Sequence, residues 1–205
     1  MLIVFDLDDT LIDTSGSIIP ALLQCVTGDL PEKSQKQLAR INSGAKSSKA
    51  TLGEFCEISD MEEVGPSSPS LEKLKTTGNV NELLRTLSLN HDLALVTIGD
   101  EELQRAKIIK ARIETYLFSD IVICKEKFSV YKKLLEKHPY APGQVVVIGD
   151  RIDRDLAPAK LLGCKTIHIK WGRGVNFSDR RGHVDFAISK LDQVIDILQN
   201  IEIFS

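Results

Sequence analysis

Five short apolar runs, each followed by a polar loop and then a helix-like stretch, constrain this chain more than any other feature. The runs are Leu2–Phe5, Leu93–Val96, Ile121–Ile123, Val145–Ile148 and Thr166–Ile169. Each has the length and β-branched content of a strand. Helical spacing marks the segments between them. In Glu102–Leu117 the apolar positions Leu103, Ala106, Ile109, Ile113 and Leu117 recur every three or four residues, and Asp100 stands where an N-cap belongs. Asn81–Leu89 reads as a further helix, leading into the second strand. Strands alternating with helices predict a parallel sheet covered on both faces.

That pattern describes a Rossmann-like α/β core with one irregularity. The second strand does not arrive until residue 93. The interval from the first strand therefore holds an excess of roughly 65 residues over an ordinary crossover, whose helix takes ~10–15. Residues 15–78 hold apolar clusters, Ile18–Leu23 and Leu52–Ile58, with little β-branched alternation. They read as a small helical subdomain, broken by Gly28, Pro31 and the loop Gly65-Pro66-Ser67-Ser68-Pro69. The expected organisation is a core over 1–14 and 79–205 with a helical insertion over 15–78.

Composition removes several classes of partner. With 26 Lys+Arg against 29 Asp+Glu the net charge is −3, which offers no broad basic surface for nucleic acid. The densest cationic stretch, Lys170, Arg173, Arg180 and Arg181, reads as a solvated loop. No apolar run approaches the ~20 residues of a membrane span. Met1–Phe5 is too short for a signal sequence, so a cytoplasmic location is expected. Cys25, Cys56, Cys124 and Cys164 form no CxxC pair, and Cys124 and Cys164 read as small core or near-core residues.

In parallel sheets ligands bind outside the carboxyl ends of the strands. Asp6 directly follows the first strand, with Asp8 two residues on. Asp150 follows the fourth strand through Gly149, with Asp155 five residues further, and Thr97 ends the second. Four acids and a hydroxyl thus converge on one rim. Taken singly, Asp155 could cap a helix, and Asp9 and Asp13 could be turn acids. D-x-D-x-T and G-D-x-x-x-x-D each arise by chance in roughly one in a few dozen chains of this length, and both at strand ends far more rarely. Carboxylates so close repel, which makes a cation their natural partner, and oxygen-only ligation suits Mg²⁺.

These segments resemble the haloacid dehalogenase superfamily. Asp6-Leu7-Asp8-Asp9-Thr10-Leu11 is similar to its motif I, D-x-D-x-T, and Leu95-Val96-Thr97-Ile98-Gly99-Asp100 to its motif II. Gly149-Asp150-Arg151-Ile152-Asp153-Arg154-Asp155 resembles motif IV, G-D-x-x-x-x-D. Motif III is a lysine ahead of motif IV: Lys127 fits best and Lys125 is its rival. The motif order agrees, and the insertion between motifs I and II matches a small helical type-1 cap.

The resemblance implies a Mg²⁺-dependent phosphomonoester hydrolase acting on a small phosphorylated metabolite. Asp6 would attack phosphorus and form an aspartyl-phosphate. Asp8 would protonate the leaving oxygen and then activate water. Thr97, Lys127 and the main-chain N–H groups of Leu7 and Ile98 would hold the phosphoryl oxygens. Mg²⁺ would sit among Asp6, the Asp8 carbonyl and Asp150, with Asp155 close by or one layer out. A carboxylate ~4 Å from a dianionic phosphate meets repulsion of roughly 8 kcal/mol at an effective dielectric near 20, which the metal and Lys127 would offset. Many members carry Asn after the motif II Thr, where this chain has Ile98. The second motif I acid, Asp8, favours phosphoryl chemistry over dehalogenation. A phosphomutase of the same superfamily, a phospho-accepting binding domain and a decayed scaffold are the alternatives.

Overall fold

The computed structural model describes residues 1–18, 32–44, 48–58, 71, 74–179 and 181–203. Strand β1 (Leu2–Phe5) runs through the centre of a six-stranded sheet with β2 (Asp92–Ile98), β3 (Asp120–Cys124), β4 (Val145–Gly149), β5 (Lys165–Ile169) and β6 (Phe186–Ile188). Every pairing is parallel, and the order is β3-β2-β1-β4-β5-β6. β1 pairs Leu2 with Asp92 on one side and with Val145 on the other. The strand order reverses between β1 and β4, so the crevice beyond their carboxyl ends is where such folds bind ligands.

Period-two alternation sends each strand's side chains to two separate cores. Ile3, Phe5, Leu93, Leu95, Val146 and Ile148 face helix α3 (Val80–Ser88) and helix α7 (Val194–Ile203), meeting Leu84, Leu87, Val194 and Leu198. Leu2, Val4, Ala94, Val96, Val145 and Val147 face the opposite way, against α5 (Phe128–Lys137) and α6 (Ala157–Leu161). Each such buried aliphatic stabilises the fold by about 1.5–3 kcal/mol. Two filled faces explain why these strands read as unbroken apolar runs.

The fold matches the five expected strands and adds a sixth. β6 is three residues at a sheet edge, too short for its pattern to stand out. α4 (Glu101–Lys110) is capped by Asp100, whose carboxylate accepts from Leu103 N at 3.0 Å. It stops earlier than expected: the chain turns at Arg112, with φ of 54°, and resumes as a short 3₁₀ turn at Thr115–Leu117. Its expected apolar face is also corrected. Ile109 is 72% exposed, while Leu103 and Ala106 pack toward the insertion. The stripe that faces the sheet is Gln104, Lys107 and Ile108.

Within the insertion, α1 (Glu32–Gly44) and α2 (Ser48–Ile58) pack through Leu38, Ile41 and Phe55, with Leu71 beside them. The chain leaves and re-enters the core side by side. Ile12 and Thr76 bridge antiparallel, and Asp13 N donates to Lys75 O at 2.8 Å. Gly28, Pro31, the loop from Gly65 to Pro69, Cys25, Arg180 and residues 19–23 of the first apolar cluster lie outside the described residues. Cys164 is buried, and Cys124 is half-buried with its Sγ 3.5 Å from Thr97 O. No helix among the described residues is long and apolar enough to cross a membrane.

Candidate active site

β1 pairing continues one residue past the strand, where Asp6 N donates to Ile148 O at 2.9 Å. The chain then turns back on itself: Leu7 O accepts from Leu11 N at 3.0 Å and from Ile12 N at 3.1 Å. Asp9 adopts a left-handed φ of 57°, which aspartate tolerates better than most residues. This hairpin-like turn aims Asp6 and Asp8 over the rim.

On the β4 side stands an acid cluster with one lysine. Lys127 occupies the N-cap position of α5, where the helix dipole disfavours a cation, yet it is 2% exposed. Its Nζ lies 2.5 Å from Asp6 Oδ1 and 2.7 Å from Asp155 Oδ1, which supplies the missing compensation. Asp155 Oδ2 also accepts from Arg151 N at 2.9 Å. Gly149 is a steric requirement, since a Cβ there would come within 2.5 Å of the Asp155 carboxylate. Asp150 is fully buried, and neither of its carboxylate oxygens has a hydrogen-bond partner. Arg173 Nε lies 3.3 Å from its Oδ2 as an ion pair.

Burial dominates the proton affinities here. It pushes Asp6 up to about 7, against the pull of Lys127 and with the push of Asp155 and Asp8. Asp150 is raised well above the carboxylate range by burial, only partly opposed by Arg173. Lys127 goes well above its ordinary value because Asp155 and Asp6 outweigh its own desolvation.

On the β2 side a different set holds Asp8. Lys107 Nζ, 1% exposed, lies 2.7 Å from Asp8 Oδ1, which also accepts from the Thr14 hydroxyl. Gln104 Nε2 donates to Asp8 Oδ2 at 2.7 Å and to Thr97 Oγ1 at 2.6 Å. Gly99 leaves room for that reach, since a Cβ there would press on Gln104 Cγ at 2.9 Å. Burial alone would raise Asp8, but Lys107 and Arg173, with the hydrogen bonds from Lys107 and Thr14, bring it down to about 2.

A third set ties this rim to the insertion. Asp9 accepts from Arg173 Nε at 2.9 Å and from Ser15 N at 2.8 Å. The Ser15 hydroxyl accepts from Asn42 Nδ2 at 2.7 Å, and Asn42 Oδ1 accepts from the Thr51 hydroxyl at 3.0 Å. Arg173 stays buried because Asp150, Asp9, Asp8 and Asp6 surround it and raise its proton affinity despite desolvation.

The arrangement fits a divalent cation. Carboxylate oxygens of Asp6, Asp150 and Asp155 all lie within 4.8 Å of one another, and the two oxygens of Asp150 are buried polar groups that accept no hydrogen bond, the Arg173 ion pair being their one compensation among the described residues. Such orphaned groups are costly unless something satisfies them. The five buried carboxylates, Asp6, Asp8, Asp9, Asp150 and Asp155, face four buried cations, Lys107, Lys127, Arg151 and Arg173, and Arg151 turns its guanidinium to Asp153. The formal excess is one negative charge. A cavity of about 30 Å³ lies among Asp6, Asp8, Ile98, Asp150 and Arg154, room for an ion or a water. A larger one, about 520 Å³, opens elsewhere, lined by Val80, Leu83, Leu191 and Ile195 among others, and touches none of these acids.

The structure therefore brings Asp6, Asp8, Lys127, Asp150 and Asp155 to one rim, with Thr97 buried behind Gln104 and Ile98 at the cavity wall. Lys125 is exposed. The Asp8 carboxylate is not one of the three clustered acids, since Lys107 and Gln104 hold it. Two expectations are corrected. Arg173 does not belong to a solvated loop, although Lys170 and Arg181 are exposed. Asp9 is a turn residue and a buried ion-pair partner as well. Gln104 and Lys107 were invisible to apolar spacing. Their signal was two polar residues three apart on a helix that packs on the sheet.

Comparison with known proteins finds a family and relatives that span most of the chain. The family profile described as haloacid dehalogenase-like hydrolase matches residues 3–169. A glyceraldehyde 3-phosphate phosphatase of Methanocaldococcus jannaschii is 26% identical over 98% of this chain and 97% of its own length. One of the same description from Pyrococcus furiosus is 25% identical over 57% of this chain and 51% of its own. Among solved structures, the HAD-hydrolase YfnB of Bacillus subtilis bound to magnesium superposes with a TM-score of 0.73 at 18% identity, covering 96% of this chain and 97% of that one.

Proposed function

The chain belongs to the haloacid dehalogenase-like hydrolase family, and on that premise we propose that it is a Mg²⁺-dependent phosphatase of small phosphorylated metabolites. One observation carries the reading: the buried Asp6 carboxylate, braced by Lys127, shares a 4.8 Å cluster with Asp150 and Asp155 at the switch point of the sheet. A triose phosphate is the first substrate to test, because relatives of matching description act on glyceraldehyde 3-phosphate.

In the first step the Asp6 carboxylate bonds to phosphorus as the bond from phosphorus to the ester oxygen breaks. The departing oxygen takes a proton from Asp8. In the second step Asp8, now a carboxylate, takes a proton from a water whose oxygen bonds to phosphorus. The Asp6–phosphorus bond breaks and inorganic phosphate leaves. Asp8 is held low before substrate binds, and a dianionic phosphate beside it raises its affinity for the proton that the first step needs. Asp6, Asp150 and Asp155 would hold Mg²⁺, which supplies charge neutralisation between nucleophile and phosphoryl group when bound. Lys127 adds a fixed positive charge beside Asp6, and Ile98 lines the phosphoryl position, with the Thr97 hydroxyl one layer behind it against Gln104. The insertion that carries α1 and α2, tied to Asp9 through Ser15 and Asn42, acts as a cap, and selectivity for the rest of the substrate resides there.

The test is phosphate release from p-nitrophenyl phosphate and from glyceraldehyde 3-phosphate, with Mg²⁺ and with chelator. Mg²⁺-dependent turnover of both is expected. Absence of any turnover with Mg²⁺, or full turnover in excess chelator, rejects the reading.

A further inference from the structure

We propose that Lys107, together with Gln104, is a positioning residue that fixes the Asp8 carboxyl for its two proton transfers. The proposal rests on the phosphatase reading above and adds to it two side chains of α4. Lys107 and Gln104 lie on the helix stripe that faces the sheet, each 1% exposed. A stripe buried in that way stabilises a fold best when it is apolar, and a buried ion pair often gains nothing over well-packed hydrophobic side chains. The charge at Lys107 therefore needs another explanation, and its geometry supplies one.

Lys107 Nζ takes Asp8 Oδ1 at 2.7 Å, and Gln104 Nε2 takes Oδ2 at 2.7 Å. Gln104 on one oxygen, and Lys107 with the rotatable Thr14 hydroxyl on the other, lock the torsion of the carboxylate, where donors on a single oxygen would leave it free to turn. Gln104 also bonds Thr97 Oγ1 at 2.6 Å and lies 3.4 Å from Ile98 O, so the same amide registers Asp8 against the β2 end. Gly99 is the space that permits this reach. Ile98 cannot supply a side-chain amide at this position, and Gln104 delivers one from the following helix.

A fixed carboxyl matters for the proton it moves. In the first step Asp8 gives its proton to the ester oxygen as that oxygen leaves phosphorus. In the second it takes one from the water that attacks the phosphoryl group on Asp6. An alkoxide leaving group needs the first proton, whereas p-nitrophenolate leaves well without it.

The experiment compares Lys107→Met and Gln104→Leu with the parent on an alkyl ester, glycerol 3-phosphate, and on p-nitrophenyl phosphate, with Mg²⁺ present. For both variants kcat/KM on the alkyl ester should fall about 100-fold, the low end of general acid catalysis. On p-nitrophenyl phosphate kcat/KM should stay within about threefold, because that constant stops at the first step. Slowed breakdown of the phosphorylated enzyme should appear there as a burst of p-nitrophenolate. Lys107→Arg, which keeps the charge, should recover part of the alkyl-ester loss. An equal fall on both substrates, or no change on either, overturns the proposal. Two variants guard against one failing to fold, and thermal melts identify such a case. If the parent itself releases phosphate from neither ester, the phosphatase reading fails instead.

Discussion

Two acids that sit two residues apart in one loop, Asp6 and Asp8, live in opposite electrostatic regimes. Asp6 shares its single lysine with Asp155 and lies close to Asp150, and burial pushes it up to about 7. Asp8 has Lys107 to itself, two further hydrogen-bond donors and Arg173 nearby, and is brought down to about 2. Burial is nearly the same for both, so the ratio of cations to acids decides the difference. The Asp6 side is short of positive charge and suits a metal. The Asp8 side is already neutralised and suits proton handling.

The largest effect that can break this comparison is on the nucleophile. Asp6→Asn should abolish turnover with the fold intact by circular dichroism, while Asp8→Asn should lose about 10²–10⁴-fold. Equal residual rates for the two would erase the division of labour. Next comes the brace. Lys127→Ala should lower kcat by roughly 10²–10³-fold, by analogy with the loss of one transition-state donor, and Lys125→Ala by no more than a few-fold. A reversal of that order would move the third motif to Lys125.

Asp150→Ala tests the metal side alone. It should raise the Mg²⁺ concentration for half-maximal activity by about tenfold or more, and weaken Mg²⁺ binding measured by calorimetry in the same proportion. Unchanged Mg²⁺ affinity would remove Asp150 from the ligand set. The smallest effect sharpens the contrast in protonation. In metal-free protein Asp6 keeps, when folded, a proton that the unfolded chain gives up near pH 4. Its stabilisation is complete below that value and is lost as pH rises through about 7. Asp8 behaves oppositely: its contribution, roughly 2 kcal/mol, is present above pH 4 and is lost as pH falls through about 2. Urea titrations in chelator across pH 2–8 should show Asp6→Asn flattening the upper limb and Asp8→Asn the lower. Coincident curves for the parent and both variants would show that neither acid is perturbed.

The strand ends were legible because parallel strands buried on both faces print continuous apolar runs, and an acid right after such a run has few places to point. Asp6, Asp150 and Lys127 follow from that and from motif order. Gln104 and Lys107 escaped because helix faces are read from apolar spacing, and the apolar positions of α4 belong to a different contact. Leu103 and Ala106 serve the insertion, and Ile109 serves nothing. Arg173 escaped for another reason. Its partner Asp9 is 164 residues away in sequence, and a basic residue among others looks solvated until the chain folds around it. The edge strand β6 is simply too brief to signal itself.

Where the chain leaves the core at Ile12 and returns at Thr76, the two crossings are antiparallel neighbours. Neighbouring strands lie about 5 Å apart, the span of a tight hairpin. Everything between is therefore a cassette with adjacent ends. It can be excised and replaced by a turn, or exchanged for a longer segment, without redirecting a strand, and each doubling of its length costs only about 0.6 kcal/mol in closure entropy. Lineages sharing this sheet are free to diversify the cassette while the acids beneath it stay in register.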